Sequence, residues 1–218
     1  MNITHSHFPR GYHESHYSGR SWKFYREILS RIILKQEPGP ILDIGAGMGL
    51  FVEACKLWGI ECMGVEGSIE ANEAALNRVP GLKIFLSQLE DPLPFGENQF
   101  SVVLMNQVIE HLSPEVLDKV LREVMRVLKP GGGLIIYSPS KFNREQRKAD
   151  ATHINMLSPK ELQSLIISHG FDSYYQNDFP LNLFGSSRWG LILMKIIFKL
   201  TRLQILSATA NCEARKPL

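Results

Sequence analysis

Three glycines within the segment ILDIGAGMG, residues 41–49, constrain this chain more than any other feature. The segment opens as a short apolar run and passes into an amphipathic stretch, so its glycines stand where a strand gives way to a helix. Backbone that turns sharply at such a point and closely approaches a ligand needs several residues without a Cβ. The alternation then repeats along the chain. Apolar runs at Ile41 to Ile44, Ile60 to Val65, Leu82 to Leu86, Ser101 to Met105 and Leu134 to Ser138 predict short strands buried in a parallel sheet. Helices fill the intervals. The first runs from about Met48 to a left-handed stop at Gly59, and the second is N-capped by Ser68 and reaches Arg78. Ser113 and Pro114 open a third, which KPGGG at 129–133 ends before the fifth strand. Ser158, Pro159 and Glu161 form a capping box for a helix closed by Gly170, and strands from Phe171 to Gln176 and around Ser207 to Ala214 are expected beyond it.

The predicted fold class is α/β: one Rossmann-like, doubly wound domain with a mostly parallel seven-stranded sheet and an antiparallel C-terminal edge. Residues 1–37 are read as an N-terminal lid or helical segment ahead of a domain over 38–218. A length of 218 residues suits one such domain, and hydrophobic and charged fractions of 44% and 21% are ordinary for a globular chain. The formal net charge of +2 is too small to argue for a nucleic-acid partner. Cys55, Cys62 and Cys212 follow no zinc spacing and are expected as reduced packing residues of a cytoplasmic protein. The polar, His-rich first twenty residues have no secretory signal pattern.

The glycine pattern is DxGxGxG, with Leu50 where a dinucleotide fingerprint continues its spacing. Asp43 would repel a pyrophosphate, which favours a ligand that offers hydrogen-bond donors or positive charge. S-adenosylmethionine, with its ammonium and sulfonium groups, fits that requirement. Glu66, about twenty residues further on, ends the second strand with a carboxylate suited to ribose hydroxyls.

With these pieces the sequence resembles the class I methyltransferases, especially the subgroup that includes ubiquinone-biosynthesis O-methyltransferases. The resemblance covers about residues 38–175. It rests on LDIGAGMG, on Glu66, on LPF at 93–95 followed by QFSVV at 99–103, on NQVIEHL at 106–112 and on LKPGG at 128–132. It implies that Asp43, Gly45, Ala46, Gly47 and Gly49 surround the methionine and ribose portions of S-adenosylmethionine, and that Glu66 holds the ribose. Gln88 and Leu89 would flank adenine, with Glu90 as the alternative if the loop is shifted by a residue. Asn106 would lie near the methionine moiety, mainly through its backbone. Ser101 stands where the family commonly has Asp, with a structural consequence only.

Methyl transfer is an in-line displacement, so alignment and exclusion of water are the main demands. His153, in ATHIN at 151–155, is the first candidate for a catalytic base, against the plainer reading that it pins its loop. His111 is read as structural. Gln107, Glu110, His111 and His153 partly match the ExxEH-plus-His arrangement with which some related methyltransferases hold a divalent metal, but the first carboxylate is missing and no metal is expected. His5 and His7 are read as part of a terminus or lid, and Tyr17 or Arg20 as groups that could reach the methionine carboxylate. Lys141, Arg144, Arg147 and Lys148 are read as a solvated basic loop. Lys195, Lys199 and Arg202 share one face of a helix over 188–202, too charged to span a membrane. That helix is expected to pack on the domain, to serve as a lid, or to make a peripheral membrane contact. The expected function is S-adenosylmethionine-dependent methyl transfer, O-directed, to a small-molecule or lipid-linked acceptor. The alternative is a non-catalytic Rossmann-like module that binds an adenosyl ligand and acts through protein contacts.

Overall fold

The computed structural model describes residues 21–36, 38–175, 188–201, 203 and 207–218. A 3-10 turn at Trp22–Tyr25 leads into helix α1 (Arg26–Lys35), after which strands and helices alternate: β1 (Ile41–Ile44), α2 (Leu50–Leu57), β2 (Cys62–Glu66), α3 (Ile69–Arg78), β3 (Ile84–Leu86) and β4 (Phe100–Asn106). Then follow α4 (Pro114–Val127), β5 (Leu128–Tyr137), α5 (Arg144–Ala149), α6 (Pro159–Ser168), β6 (Asp172–Tyr175), α7 (Arg188–Thr201) and β7 (Cys212–Arg215).

The described strands pair in the order β3-β2-β1-β4-β5-β7-β6. All neighbours from β3 to β5 are parallel, and β7 runs antiparallel to both β5 and β6. Because side chains alternate across a sheet, Leu42, Ile44, Val103 and Met105 enter one core with the buried face of α4, while Ile41, Val102 and Leu104 enter a second with α1 and α2. Both faces are covered, as a parallel sheet requires. The part of α1 carrying Leu29 and Ile32, together with Tyr25, belongs to that second core, and the Tyr25 ring meets Phe51 of α2 edge-on at 6.1 Å. Helix starts follow their caps: the Ser68, Ser113 and Ser158 hydroxyls accept from Ala71, Val116 and Glu161 N–H, and Glu161 closes the capping box on Ser158 N–H.

Two strand boundaries differ from the sequence reading. The fifth strand begins at Leu128 rather than Leu134, so KPGGG lies within it. The glycines there answer to crowding: a Cβ on Gly133 would stand 2.4 Å from Gln36 Oε1. A register shift opposite Phe100 and Val102 absorbs the irregular backbone. The last strand is Cys212–Arg215, with an isolated bridge from Thr209 to Pro139 ahead of it. Backbone bonds carry the pairing on there, from Ala210 N–H to Ser138 O at 2.8 Å and from Ser140 N–H to Ala208 O at 3.0 Å, while Asn211 Oδ1 accepts Ser138 N–H and Ser207 Oγ donates to Thr209 O. Gln176 lies outside the described residues. All three cysteines are free and buried. Among the described residues no helix is long and apolar enough to cross a membrane.

Candidate active site

The central strand β1 has β2 on one side and β4 on the other, and the chain crosses from β3 to β4 over it. Connections leaving β1 and β4 therefore diverge, opening a crevice at the carboxyl ends of the strands. Asp43, Glu66 and Asn106 stand at that edge, with the glycine loop between β1 and α2. Gly45 and Ala46 N–H both donate to Val65 O at 2.9 Å, which folds the loop back over the end of β2. Gly45, Gly47 and Gly49 all have left-handed backbone, at φ 72°, 52° and 70°. A Cβ on Gly45 would lie 2.6 Å from Val108 Cγ2, and one on Gly49 would lie 2.5 Å from Ile84 Cδ1.

Gly49→Ala therefore meets two penalties, left-handed strain and overpacking of a filled core, together about 2–4 kcal/mol of stability. Urea denaturation should show that loss; an unchanged midpoint would mean that the loop does not need its glycine there.

Glu66 is buried, and both of its oxygens already accept backbone N–H groups: Oε2 from Gly47 and Oε1 from Ser68, each at 2.7 Å. The carboxylate thus clamps the glycine loop to the start of α3, while each oxygen keeps a second acceptor position. Asp43 is equally buried, and burial followed by the nearby Glu66 charge pushes its carboxyl above the ordinary range. Two buried carboxylates facing one crevice suit a ligand with an ammonium and hydroxyl donors and oppose a phosphate. Gln88 Nε2 donates to Gly67 O at 2.8 Å, tying the loop after β3 to the loop after β2, and Leu89 packs against the core while Glu90 is exposed.

Arg78 is a positioning residue that the sequence reading missed. Its guanidinium pairs with Glu53 of α2 and donates to Met48 O of the glycine loop at 2.8 Å, fixing the loop from the far end of α3. A separation of thirty residues leaves no local signal for this contact.

A second group assembles after β4. Gln107 has left-handed backbone at φ 59°, and its N–H donates to Tyr137 O, turning the chain into a 3-10 turn at Ile109–His111. Its side-chain amide lies 3.4 Å from the same carbonyl. Glu110 is fully buried: Oε2 accepts Ser138 Oγ–H at 3.1 Å, whereas Oε1 has no partner among the described residues. Burial first of all pushes its carboxyl up to about 8.

Thr152 Oγ–H donates to Asp150 Oδ1 at 2.5 Å, so its oxygen is left to accept from His111 Nδ1 at 3.0 Å. His153 Nδ1 lies 3.1 Å from Gln146 O, which can only accept, so Nδ1 carries the proton. That leaves His153 Nε2 as the unprotonated nitrogen of the neutral ring, 3.7 Å from Asp150 Oδ2. The two imidazole centroids are 4.9 Å apart, and one ligand-type atom from each of Glu110, His111 and His153 falls within 4.8 Å of the others. Val108, two residues before Glu110, is the side chain packed on Gly45, so this group and the glycine loop share one wall.

Asp150, Thr152 and Ser138 escaped the sequence reading, although an Asp three residues before a His was a usable signal. The basic segment is not a loop: Arg144, Arg147 and Lys148 lie in helix α5, started by the Asn143 side chain, and Lys141 pairs with Glu161 at 2.5 Å. His5, His7, Tyr17 and Arg20 lie outside the described residues. A separate cavity of 380 Å³, lined by Lys56, Glu61 and Lys83 among others, opens at the amino ends of β2 and β3, away from this crevice.

The methyltransferase domain family matches residues 42–136, the stretch from β1 to β5 that carries the glycine loop, Glu66 and the Glu110–His111 turn. A Methanocaldococcus jannaschii protein is 33% identical over 153 residues, 66% of this chain and 69% of its own length. Residues 42–136 of the chain are an S-adenosylmethionine-dependent methyltransferase domain. The methyltransferase is also 34% identical over 114 residues to norajmaline N-methyltransferase of Rauvolfia serpentina, an alignment covering 50% of this chain but only 38% of that enzyme. The solved structure of an S-adenosylmethionine-dependent methyltransferase from Archaeoglobus fulgidus superposes with a TM-score of 0.68 over 90% of this chain and 95% of that one, at 22% identity. The likeness at that identity is one of fold.

Proposed function

We propose that the methyltransferase moves a methyl group to an oxygen of a small-molecule or lipid-linked acceptor, as the resemblance to the ubiquinone-biosynthesis subgroup suggests, with His153 as the base. The observation that carries this reading is the His153 ring itself. Gln146 O holds its Nδ1–H, and a carboxylate faces its Nε2 at 3.7 Å. Such an arrangement leaves Nε2 as the nitrogen that can take a proton, which a hydroxyl acceptor requires and an already neutral amine does not. S-adenosylmethionine supplies the electrophilic methyl carbon. His153 Nε2 would take the proton that the acceptor hydroxyl gives up when its oxygen receives that methyl group.

In this reading Asp43, Gly45, Ala46, Gly47 and Gly49 enclose the methionine and ribose portions of the cofactor and Glu66 takes the ribose hydroxyls. Gln88 and Leu89 line the adenine, and Asn106 faces the methionine end. Asp150 positions His153 without touching the acceptor. The Glu110, His111 and His153 group works as a proton-handling site rather than a metal site, a choice supported by the Gln107 amide, whose contact is with the Tyr137 carbonyl. The three free, buried cysteines support a cytoplasmic setting.

A screen of hydroxyl and amine acceptors with methyl-labelled S-adenosylmethionine tests the proposal. His153→Ala should lower kcat on the hydroxyl acceptor about 100-fold and remove the acid limb of the pH–rate profile, while S-adenosylhomocysteine binding persists. Methylation of amines alone, at a rate indifferent to His153, would overturn the oxygen-directed reading.

A further inference from the structure

The outer face of α7 combines exposed apolar side chains with lysines. Met194 is 2% exposed and anchors the helix to the body of the protein, with Gly190, Ile197 and Phe198 half-buried around the same side. Ile192, Leu193 and Ile196 point the other way and are 41%, 46% and 50% exposed. At 100° per residue these three span one apolar strip, and the exposed Lys195 and Lys199 run along one border of it. Between Asp178 and Glu213 the sequence has four cations, Arg188, Lys195, Lys199 and Arg202, and no acidic residue.

We infer that this face of α7 lies on an anionic lipid bilayer. Hydrocarbon at the level of the headgroups would cover Ile192, Leu193 and Ile196, while anionic headgroups would neutralise Lys195 and Lys199. The helix of fourteen residues is about 21 Å long, too short to span a bilayer but well suited to lying along its surface. A second copy of the chain fits the strip less well. Two such faces brought together about a twofold axis would set lysines against lysines with no carboxylate on either face to separate them. The inference deepens the lipid-linked part of the proposed function, because an acceptor embedded in a membrane would then be met at the surface where it resides. Vesicle binding is measured without methyl transfer, so failure of one reading is distinguishable from failure of the other.

Co-sedimentation of the full chain with phosphatidylcholine vesicles, with and without phosphatidylglycerol, tests the inference. Binding is expected to the anionic vesicles and to weaken with added salt. The double variant Lys195→Gln, Lys199→Gln should bind them about 30-fold more weakly, at roughly a tenfold or smaller effect per lysine. Ile192→Ser with Ile196→Ser should also release the protein, and because all four positions are exposed, the variants should keep their melting temperature and their affinity for S-adenosylhomocysteine. Binding that is equal on neutral and anionic vesicles, or absent from both, overturns the inference. So does a concentration-dependent dimer in sedimentation that Ile192→Ser disperses, which would assign the face to a second copy.

Discussion

Glu66→Ala is expected to weaken S-adenosylhomocysteine binding by about 100- to 10,000-fold, since hydrogen bonds to a charged group are worth about 1.5–3 kcal/mol each and the proposed ribose contact uses two of them. Glu66→Gln should be nearly as harmful, for a reason visible only in the folded protein. Both carboxylate oxygens accept backbone N–H groups, from Gly47 and Ser68, so an amide NH₂ in either position would face a donor. The loop would have to shift to relieve that opposition, and the left-handed glycines beside it would lose their anchoring. Titration calorimetry reads the affinity, and thermal melting without ligand reads the loop. A Glu66→Gln protein that binds and melts like the parent would mean that the clamp does not exist in solution.

The second large effect is a dependence of stability on pH that traces to Glu110. Its carboxyl titrates at about 8 in the folded protein against an ordinary 4.5, because burial opposes the charged form. Between those values the folded chain holds a proton that the unfolded chain has released. Stability contributed by this group is therefore full below about pH 4.5, falls by about 1.4 kcal/mol per pH unit as pH rises, and levels off above about 8. From pH 5 to 8 the loss is on the order of 4 kcal/mol. Glu110→Gln keeps a neutral group of the same shape and can still accept from Ser138, so the difference between variant and parent isolates this titration from every other. Urea denaturation of both proteins across that range should show the parent losing ground steadily to the variant. Parallel stability curves would mean that Glu110 is charged in the fold, through water or an ion beside Oε1.

Much of this architecture was legible before any coordinates. The strand, glycine turn and helix at 41–57 announced themselves because local rules agree there: a buried apolar run, residues free to take positive φ, and an amphipathic helix after them. The caps at Ser68, Ser113 and Ser158 were legible for the same reason, each being a contact between residues three apart. KPGGG has the composition of a turn and does turn, with Gly131 left-handed at φ 75°, but the register of β4 resumes at Gly133 and makes the run an irregularity inside the strand. The strand expected around Ser207 to Ala214 is found in two pieces, a bridged stretch at Thr209 and the ladder of β7, and at the join the Asn211 side chain, not a backbone carbonyl, accepts Ser138 N–H.

The site divides in the same way. Asp43, the glycines and Glu66 could be picked out because strand ends and spacing place them at one sheet edge, and the family resemblance gave each an expected role. Sequence determined the fold class, the cofactor and that set of candidate residues, since each depends on short-range pattern. Tertiary structure alone decided that Glu66 clamps the loop, that Arg78 braces it across thirty residues, and that Asp150, Thr152 and two histidines meet around a buried acid. Contacts of that kind are settled by which side chains the packed sheet leaves facing one another, and a sequence holds no local trace of it.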